Sequence, residues 1–537
     1  MPTDRRRFLA GSAAGALLGC VPRPRPLPPG ELLGPSHALG HLLRDGHRFP
    51  PPTRTIDVPV LIAGAGIGGL SCAWWLQRSG HQDFLLLDLE GQPGGNARWG
   101  SNAVTSYPWG AHYLPLPGPQ ARYVRLLLSD LGILRGDPET LRPEYDERHL
   151  CHSPQERLYI HGNWQEGVVP TFGLPPGALE QYRRFDAEMH RFASLHGADG
   201  RPAFALPLAL SSDDPSLLAL DRISMRDWLQ RNGYDAPSLH WYIDYGCRDD
   251  YGTSYAETSA WAGIHYFASR DGEAANASHD TVLTWPEGNG WLVQRLVERF
   301  AARLRLGQMV YRIGADGREV DVYDAERRET LRYRIDRLVW AGPVGLLPRL
   351  WPQLPAVWAA AARRIDYAPW LVANLTLSQL PQDLGHAPLS WDNVLYQGQG
   401  LGYVVATHQS LQMRPMATVL TYYRALTEVS PAAGRQWLWQ RSQPEWAQAI
   451  LADLARAHPE IGEICTRLDV WRWGHAMARP TPGFLAPERR ALRQPTSHVA
   501  LAHADVGGIS LFEEAQYWGV EAARWILDGG RPRNGPN

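Results

Sequence analysis

The stretch from Val58 to Gly95 constrains the fold more than any other part of this chain. A short apolar strand, Val60-Leu61-Ile62-Ala63, leads into Gly64-Ala65-Gly66-Ile67-Gly68-Gly69. A helix is predicted over 70–79, stopping at Gly80, and a second apolar strand from Phe84 to Leu87 ends on Asp88. Each part answers a physical requirement. Gly64 permits the tight turn, Gly66 lets the backbone approach a pyrophosphate, and Gly69 lets the helix pack on the strand. The helix N-terminus offers free N–H groups and the positive end of a dipole to phosphates. Asp88 is placed to accept hydrogen bonds from a ribose. A glycine triplet alone would also fit a bare phosphate-binding turn. The flanking strands, the helix and the acid together point to a dinucleotide.

Further along come Gly94-Gly95-Asn96 and Trp109-Gly110-Ala111-His112-Tyr113. The C-terminal part carries Val499-Ala500-Leu501-Ala502-His503-Ala504-Asp505, then Glu513-Glu514-Ala515 and Trp518-Gly519. With these motifs the chain resembles the flavin-dependent amine oxidase superfamily, which also holds phytoene desaturases and protoporphyrinogen oxidases. The resemblance implies FAD rather than NAD. It puts Gly94, Gly95 and Asn96 near the pyrophosphate and runs Gly110-Ala111 under the flavin. It also brings Asp505 near the ribityl chain and starts a helix at about Phe512 beneath the flavin pyrimidine. A central hairpin and strand, with Val310 in the first arm and Ile335 to Pro343 in the last, is similar to the family's return to the cofactor domain. There a valine in the position of Val310 holds the adenine through its backbone. Any hairpin followed by a strand gives the same local pattern.

The expected fold class is therefore α/β. A discontinuous Rossmann-like FAD-binding domain (54–115, 284–345 and 466–528) is interleaved with an α+β substrate domain (116–283 and 346–465), where 217–232 and 437–457 look helical. No second GxGxxG occurs, since Gly398-Gln399-Gly400-Leu401-Gly402 has the wrong spacing. A single dinucleotide site implies that electrons come from an organic substrate rather than from a bound nicotinamide.

With 537 residues and 44% of them hydrophobic, the chain can bury a large core. A net charge of −2 gives no sign of a nucleic-acid surface. The five cysteines are far apart, and neither CxxC nor HExxH appears, so no metal is expected. A disulfide among Cys72, Cys151, Cys247 and Cys465 stays open, because sequence cannot pair them. All 53 basic residues are arginine, so the protein has no side-chain primary amine.

The N-terminus reads as an address. Arg5-Arg6-Arg7-Phe8-Leu9 resembles a twin-arginine export motif. The apolar run over 8–18 would be about 16 Å long as a helix, too short for a bilayer core of about 30 Å. Leu17-Leu18-Gly19-Cys20 resembles a lipobox, although Cys20 also suits an ordinary cleavage site. Residues 1–20 are thus read as a signal peptide and 21–53 as a proline-stiffened tether. The expected location is the periplasm, reached through the twin-arginine machinery, with a lipid on Cys20 as the membrane anchor.

Candidate catalytic residues are His112, Trp473 and His475. His112 follows the Gly-Ala pair and is read either as a proton shuttle or flavin contact, or as a histidine bonded within a buried turn. Trp473 precedes the final flavin strand, where the family places an aromatic wall; a core tryptophan is the alternative. The run Tyr245 to Gly252 puts Asp249 and Asp250 beside Arg248 in what reads as an aromatic-glycine loop. Its acids would suit a cationic amine, but a solvated turn with a local ion pair is the favoured reading. Two departures stand out. Many amine oxidases of this family use a lysine to hold a water against flavin N5, and this chain has none. Leu511, followed by Phe512, occupies the position of an aromatic cage residue. The leading expectation is an FAD-dependent oxidoreductase taking a hydride from a C–H bond of an amine, polyamines included, with oxygen or a quinone as acceptor. The alternatives are a dehydrogenase or desaturase of an apolar substrate feeding a quinone, and a non-catalytic flavoprotein that binds a partner.

Overall fold

The computed structural model describes residues 26–382, 385–410 and 416–531, so Arg5, Arg6 and Cys20 lie outside the described residues. Two sheets organise them. The first runs in the order 304–305, 84–87, 54–63, 329–340, 319–324 and 308–313, with Val499–Leu501 added parallel to Glu329–Trp340. Its middle strands are parallel, and strand Arg54–Ala63 is apolar on both faces at its C-terminal end. Val60 and Ile62 enter one core cluster while Leu61 and Ala63 enter another. That alternation is what a parallel strand covered on both sides requires.

Helix Ile67–Arg78 follows the glycine turn and packs against helix Phe512–Leu527. That approach needs glycine at 519, and the close passage of the first helix by Ala502 needs glycine at 68. A Cβ on Gly519 would lie 2.2 Å from the Gly68 carbonyl oxygen, and one on Gly68 would lie 1.9 Å from that of Ala502. The two ends of the chain are thereby packed together, as a discontinuous cofactor domain demands.

The second sheet has eight strands in the order 32–33, 465–478, 367–377, 418–425, 402–405, 392–395, 156–160 and 163–166. Helices Pro431–Gln440 and Gln443–Leu454 flank this sheet, where Leu438, Trp446 and Ile450 join one core with Leu371, Ala373 and Leu375. A separate core gathers helices Pro176–Ala193, Met225–Arg231, Pro237–Tyr251 and Ala260–Ala268.

Three expectations are corrected. Strand Cys465–Ala478, expected within the last cofactor segment, pairs along Tyr367–Leu377 in the eight-stranded sheet rather than in the sheet of strand Arg54–Ala63. The Tyr245–Gly252 run is helical up to Tyr251, not a loop. Gly246 sits inside the helix because a Cβ there would press on the Tyr266 ring at 2.9 Å, and Gly252, at φ 59°, caps the C-terminus. Residues 28–53 are not a free tether: Leu32–Leu33 adds a strand beside Val470 and Trp471, and His37–Arg44 is a helix.

Cys72, Cys151, Cys247 and Cys465 are all buried and free, which closes the disulfide question. Among the described residues no helix is long and apolar enough to cross a membrane.

Candidate active site

The glycine turn is built as its spacing demands. Gly64 takes φ 117°, and a Cβ there would lie 2.8 Å from the Ala341 carbonyl. Gly69 is a packing residue, since its Cβ would sit 1.9 Å from the Gly64 oxygen. Gly66 differs, because the protein atom nearest to a Cβ there is Gly95 Cα at 3.9 Å. The chain itself does not require glycine at 66, and the space it keeps open belongs to a cavity of about 360 Å³.

That cavity runs along the C-terminal ends of the parallel strands, where ligands of open α/β sheets bind. Its walls include Gly64, Gly66, Asp88, Gly94, Gly95, Asn96, Ala111, Val310 and Phe512, all expected from sequence. Asp88 accepts the Ala65 N–H at 2.6 Å on one carboxylate oxygen and the Glu90 N–H at 2.8 Å on the other. Burial pushes its pKa up to about 6 against those two bonds. The register shifts between Val310 and Arg312, a bulge that re-aims the backbone beside the cavity.

Two expected contacts are displaced. Gly69 lies behind the turn. Asp505 is fully buried outside the cavity wall, where it accepts the Val344 N–H at 2.8 Å and the Tyr367 hydroxyl at 2.6 Å. Burial opposes its charge, but His503 at 3.2 Å and these donors hold its pKa below the usual carboxylate value. His503, which sequence reasoning passed over, lines the cavity in its place.

A second cavity of about 150 Å³ adjoins the first, sharing Asn96, Ala111, Asn289, Ala476 and the 510–512 turn. Gly110 lines this one. Trp370, Val372, Tyr423 and Trp473 of the large sheet form one wall, and Asp249 and Asp250 of helix Pro237–Tyr251 another. Of the three catalytic candidates, His112 and Trp473 meet here, while His475 opens only onto the larger cavity. Trp473 donates its indole N–H to the Trp109 carbonyl at 2.7 Å, which fixes the ring as a wall.

His112 stacks on Tyr423 with ring centres 4.4 Å apart. Burial drives its pKa down to about 3, so the imidazole is neutral near pH 7, against the expectation of a group titrating there. Burial and Arg435 bring His475 to about 4.

The acids of helix Pro237–Tyr251 are held differently from one another. Arg270 grips both oxygens of Asp250 at 2.7 Å, and Arg248 reaches back to Asp244 at 3.0 Å. Asp249 keeps only a long hydrogen bond from the Tyr113 hydroxyl, at 3.4 Å. Burial and the Asp250 charge both raise its pKa. Glu513, at the start of helix Phe512–Leu527, also faces this cavity, and burial pushes it up to about 7. Three carboxyl groups and one guanidinium thus line this pocket, with Asp250 paired to the guanidinium and the other two held towards their protonated forms by burial. Among the described residues no group of three or more His, Cys, Asp or Glu is placed to hold a metal.

Residues 67–527 match the family model described as flavin containing amine oxidoreductase. The fold is similar to that of putrescine oxidase in its putrescine-bound structure (TM-score 0.66, 17% identity, 88% of this chain and 100% of that one). It is also similar to cyclohexylamine oxidase from Brevibacterium oxydans (TM-score 0.64, 17% identity, 88% and 99% covered). A 200-residue stretch is 27% identical to the 15-cis-phytoene desaturase of Solanum lycopersicum; it makes up 34% of this chain and spans 28% of that relative's length. The cradle fits FAD on the chain's own terms, through the open space at Gly66, the acid at the strand tip and the glycine pair opposite. The match covers far more than half the chain and the site geometry agrees with it: this protein belongs to the flavin-containing amine oxidoreductase family and is an FAD-dependent oxidoreductase.

Proposed function

We propose that the protein oxidises an amine, using Asp249 to hold the substrate nitrogen. The observation that carries this reading is a cavity-facing carboxyl group, Asp249, with no guanidinium bound to it. Asp249 opens onto the small cavity beside Trp370, Trp473 and Tyr423, while the nearest guanidinium is committed to Asp250. A buried carboxylate without a cationic partner is costly, and an incoming ammonium relieves that cost. Aromatic faces add to the attraction for a cation.

Bound FAD supplies the acceptor for a hydride from the carbon next to nitrogen. The chain's own groups prepare that carbon. Asp249, made more basic by burial and by Asp250, accepts the proton of the bound ammonium on a carboxylate oxygen. The nitrogen lone pair so freed forms the C=N bond as the hydride leaves. Trp370, Val372 and Trp473 confine the apolar part of the substrate and exclude water. His112, being neutral, offers a hydrogen bond and a stacked surface rather than a charge.

The test is anaerobic bleaching of the flavin by a panel of monoamines, diamines and polyamines, with an uncharged apolar donor for comparison. Asp249→Asn should lower kcat/KM for amines by roughly 10–100-fold, the worth of one charge-assisted hydrogen bond. Bleaching by apolar donors alone, indifferent to Asp249, would establish the desaturase-like reading instead. Mixing the reduced enzyme with oxygen or with a quinone then identifies the acceptor. We also propose export by the twin-arginine route and a lipid anchor on Cys20, readings supported by the Arg5-Arg6-Arg7 and Leu17-Leu18-Gly19-Cys20 motifs.

A further inference from the structure

The segment between residue 28 and residue 53 is fastened at both ends, to different parts of the molecule. At its start, Glu31 receives Arg467 at 2.7 Å and donates its N–H to Asp469 at 2.9 Å. Leu32 and Leu33 then pair with Val470 and Trp471 of the substrate sheet. At its end, Phe49 stacks on Tyr311 with centroids 4.3 Å apart, and the Thr53 N–H bonds the Thr330 carbonyl at 2.9 Å, both on the cofactor sheet. Between these fastenings the chain crosses the larger cavity.

The crossing is made by helix His37–Arg44, whose sequence is amphipathic and none of whose residues is buried by the protein. Leu39, Leu42 and Leu43 are only half-buried. Gly40 and Leu43 are part of the cavity wall, and no protein atom lies within 4 Å of a Cβ built on Gly40. Just before the helix, Ser36 gives its N–H to one oxygen of Glu90 at 2.8 Å and its hydroxyl to the other at 3.0 Å. Glu90 lines the same cavity, and its N–H is one of the two donors on Asp88. The helix is thus latched to the strand tip that holds the ribose acid.

We propose that residues 36–44 are a strap that forms one wall of the FAD site, with Gly40 and Leu43 against the cofactor and the Ser36–Glu90 pair as its latch. The cofactor covers the apolar face that the protein leaves half-open. FAD leaves only when the strap lifts, so the latch controls cofactor retention rather than the chemistry in the smaller cavity, which this segment does not line.

The experiment follows FAD release from full-length holoprotein by the recovery of free-flavin fluorescence after dilution. Ser36→Ala and Leu43→Ala should each speed release several-fold and together more than tenfold, with the apoprotein melting temperature unchanged. Amide exchange at residues 36–44 should slow by at least tenfold when FAD binds to the apoprotein. Release at the wild-type rate from both variants, or equal exchange at 36–44 with and without FAD, would overturn the proposal. Phe49→Ala separates the strap from general destabilisation: it loosens the distal fastening only. If that variant and Leu43→Ala lose FAD strictly in proportion to lost apoprotein stability, the segment is merely structural.

Discussion

Arg270 and Asp250 form a closed pair, with one guanidinium nitrogen 2.7 Å from each carboxylate oxygen, and this leaves the preceding residue, Asp249, to face the pocket unpaired. Neighbouring acids on one helix thus have different duties: Asp250 is structural and Asp249 is available. Replacing Asp250 with Asn should cost stability, since it leaves the half-buried Arg270 without its carboxylate. Thermal melts should show that loss for Asp250→Asn and little change for Asp249→Asn, the reverse of their order in amine turnover.

Gly66 and Gly69 should fail differently. At Gly66 a side chain has room within the protein, so Gly66→Val should give folded, colourless protein with a native circular dichroism spectrum. At Gly69 the added Cβ would collide with the Gly64 oxygen, and Gly69→Val should be insoluble. A yellow Gly66→Val protein would mean that the pyrophosphate does not pass there.

His112 should contribute no inflection to the pH profile of flavin reduction between pH 5 and 9, because burial keeps its pKa near 3. His112→Phe preserves a ring for Tyr423 to stack on. Rapid-mixing measurements should therefore find the inflections of the variant where the wild type has them, with the rate lowered by roughly tenfold or less. An inflection near pH 7 that disappears with His112 would show that the ring titrates.

Glu513 links stability to pH with a definite sign. Its pKa rises from 4.5 to about 7 on folding, so the native state holds the proton more tightly than the unfolded chain. That contribution is complete below pH 4.5 and is lost as pH rises through 7, a span worth about 3 kcal/mol. Glu513→Gln should flatten the decline in apoprotein melting temperature between pH 5 and 8. An equally steep decline in the variant would assign the effect elsewhere, Glu514 being the next candidate because burial also raises it to about 7.

Export is testable by substitution at constant charge. Arg5→Lys with Arg6→Lys should leave folded, flavin-loaded protein in the cytoplasm, since lysine keeps the charge but not the guanidinium fork. Cys20→Ser should release the mature protein from membranes. Continued membrane association of that variant would eliminate a lipid as the main anchor.

The cradle was legible in the sequence because its determinants are local: strand, glycines, helix and acid lie within forty residues of one another. The pocket acids were not. Gly246 and Gly252 bracket them and suggest a turn, yet one glycine serves a side-chain contact with Tyr266 and the other ends a helix. Nor was the strap legible. The proline density of residues 21–52 speaks for an extended chain, whereas its two short elements draw their stability from Val470, Trp471 and Glu90, which local composition cannot reveal. Asp505 stood at the right strand end, but only the packing of Tyr367 and Val344 shows that it points away from the cavity.

The pairing of Leu32 and Leu33 with Val470 and Trp471 joins residues 438 positions apart. The cofactor sheet likewise waits for Val499–Leu501, and its covering helix ends at Leu527. A ribosome that has released three quarters of this chain has therefore completed neither of the two sheets. Loops of that length close slowly relative to local contacts. Flavin capture thus falls late, after synthesis ends, and a chain truncated near its C-terminus should emerge without cofactor rather than as a smaller flavoprotein.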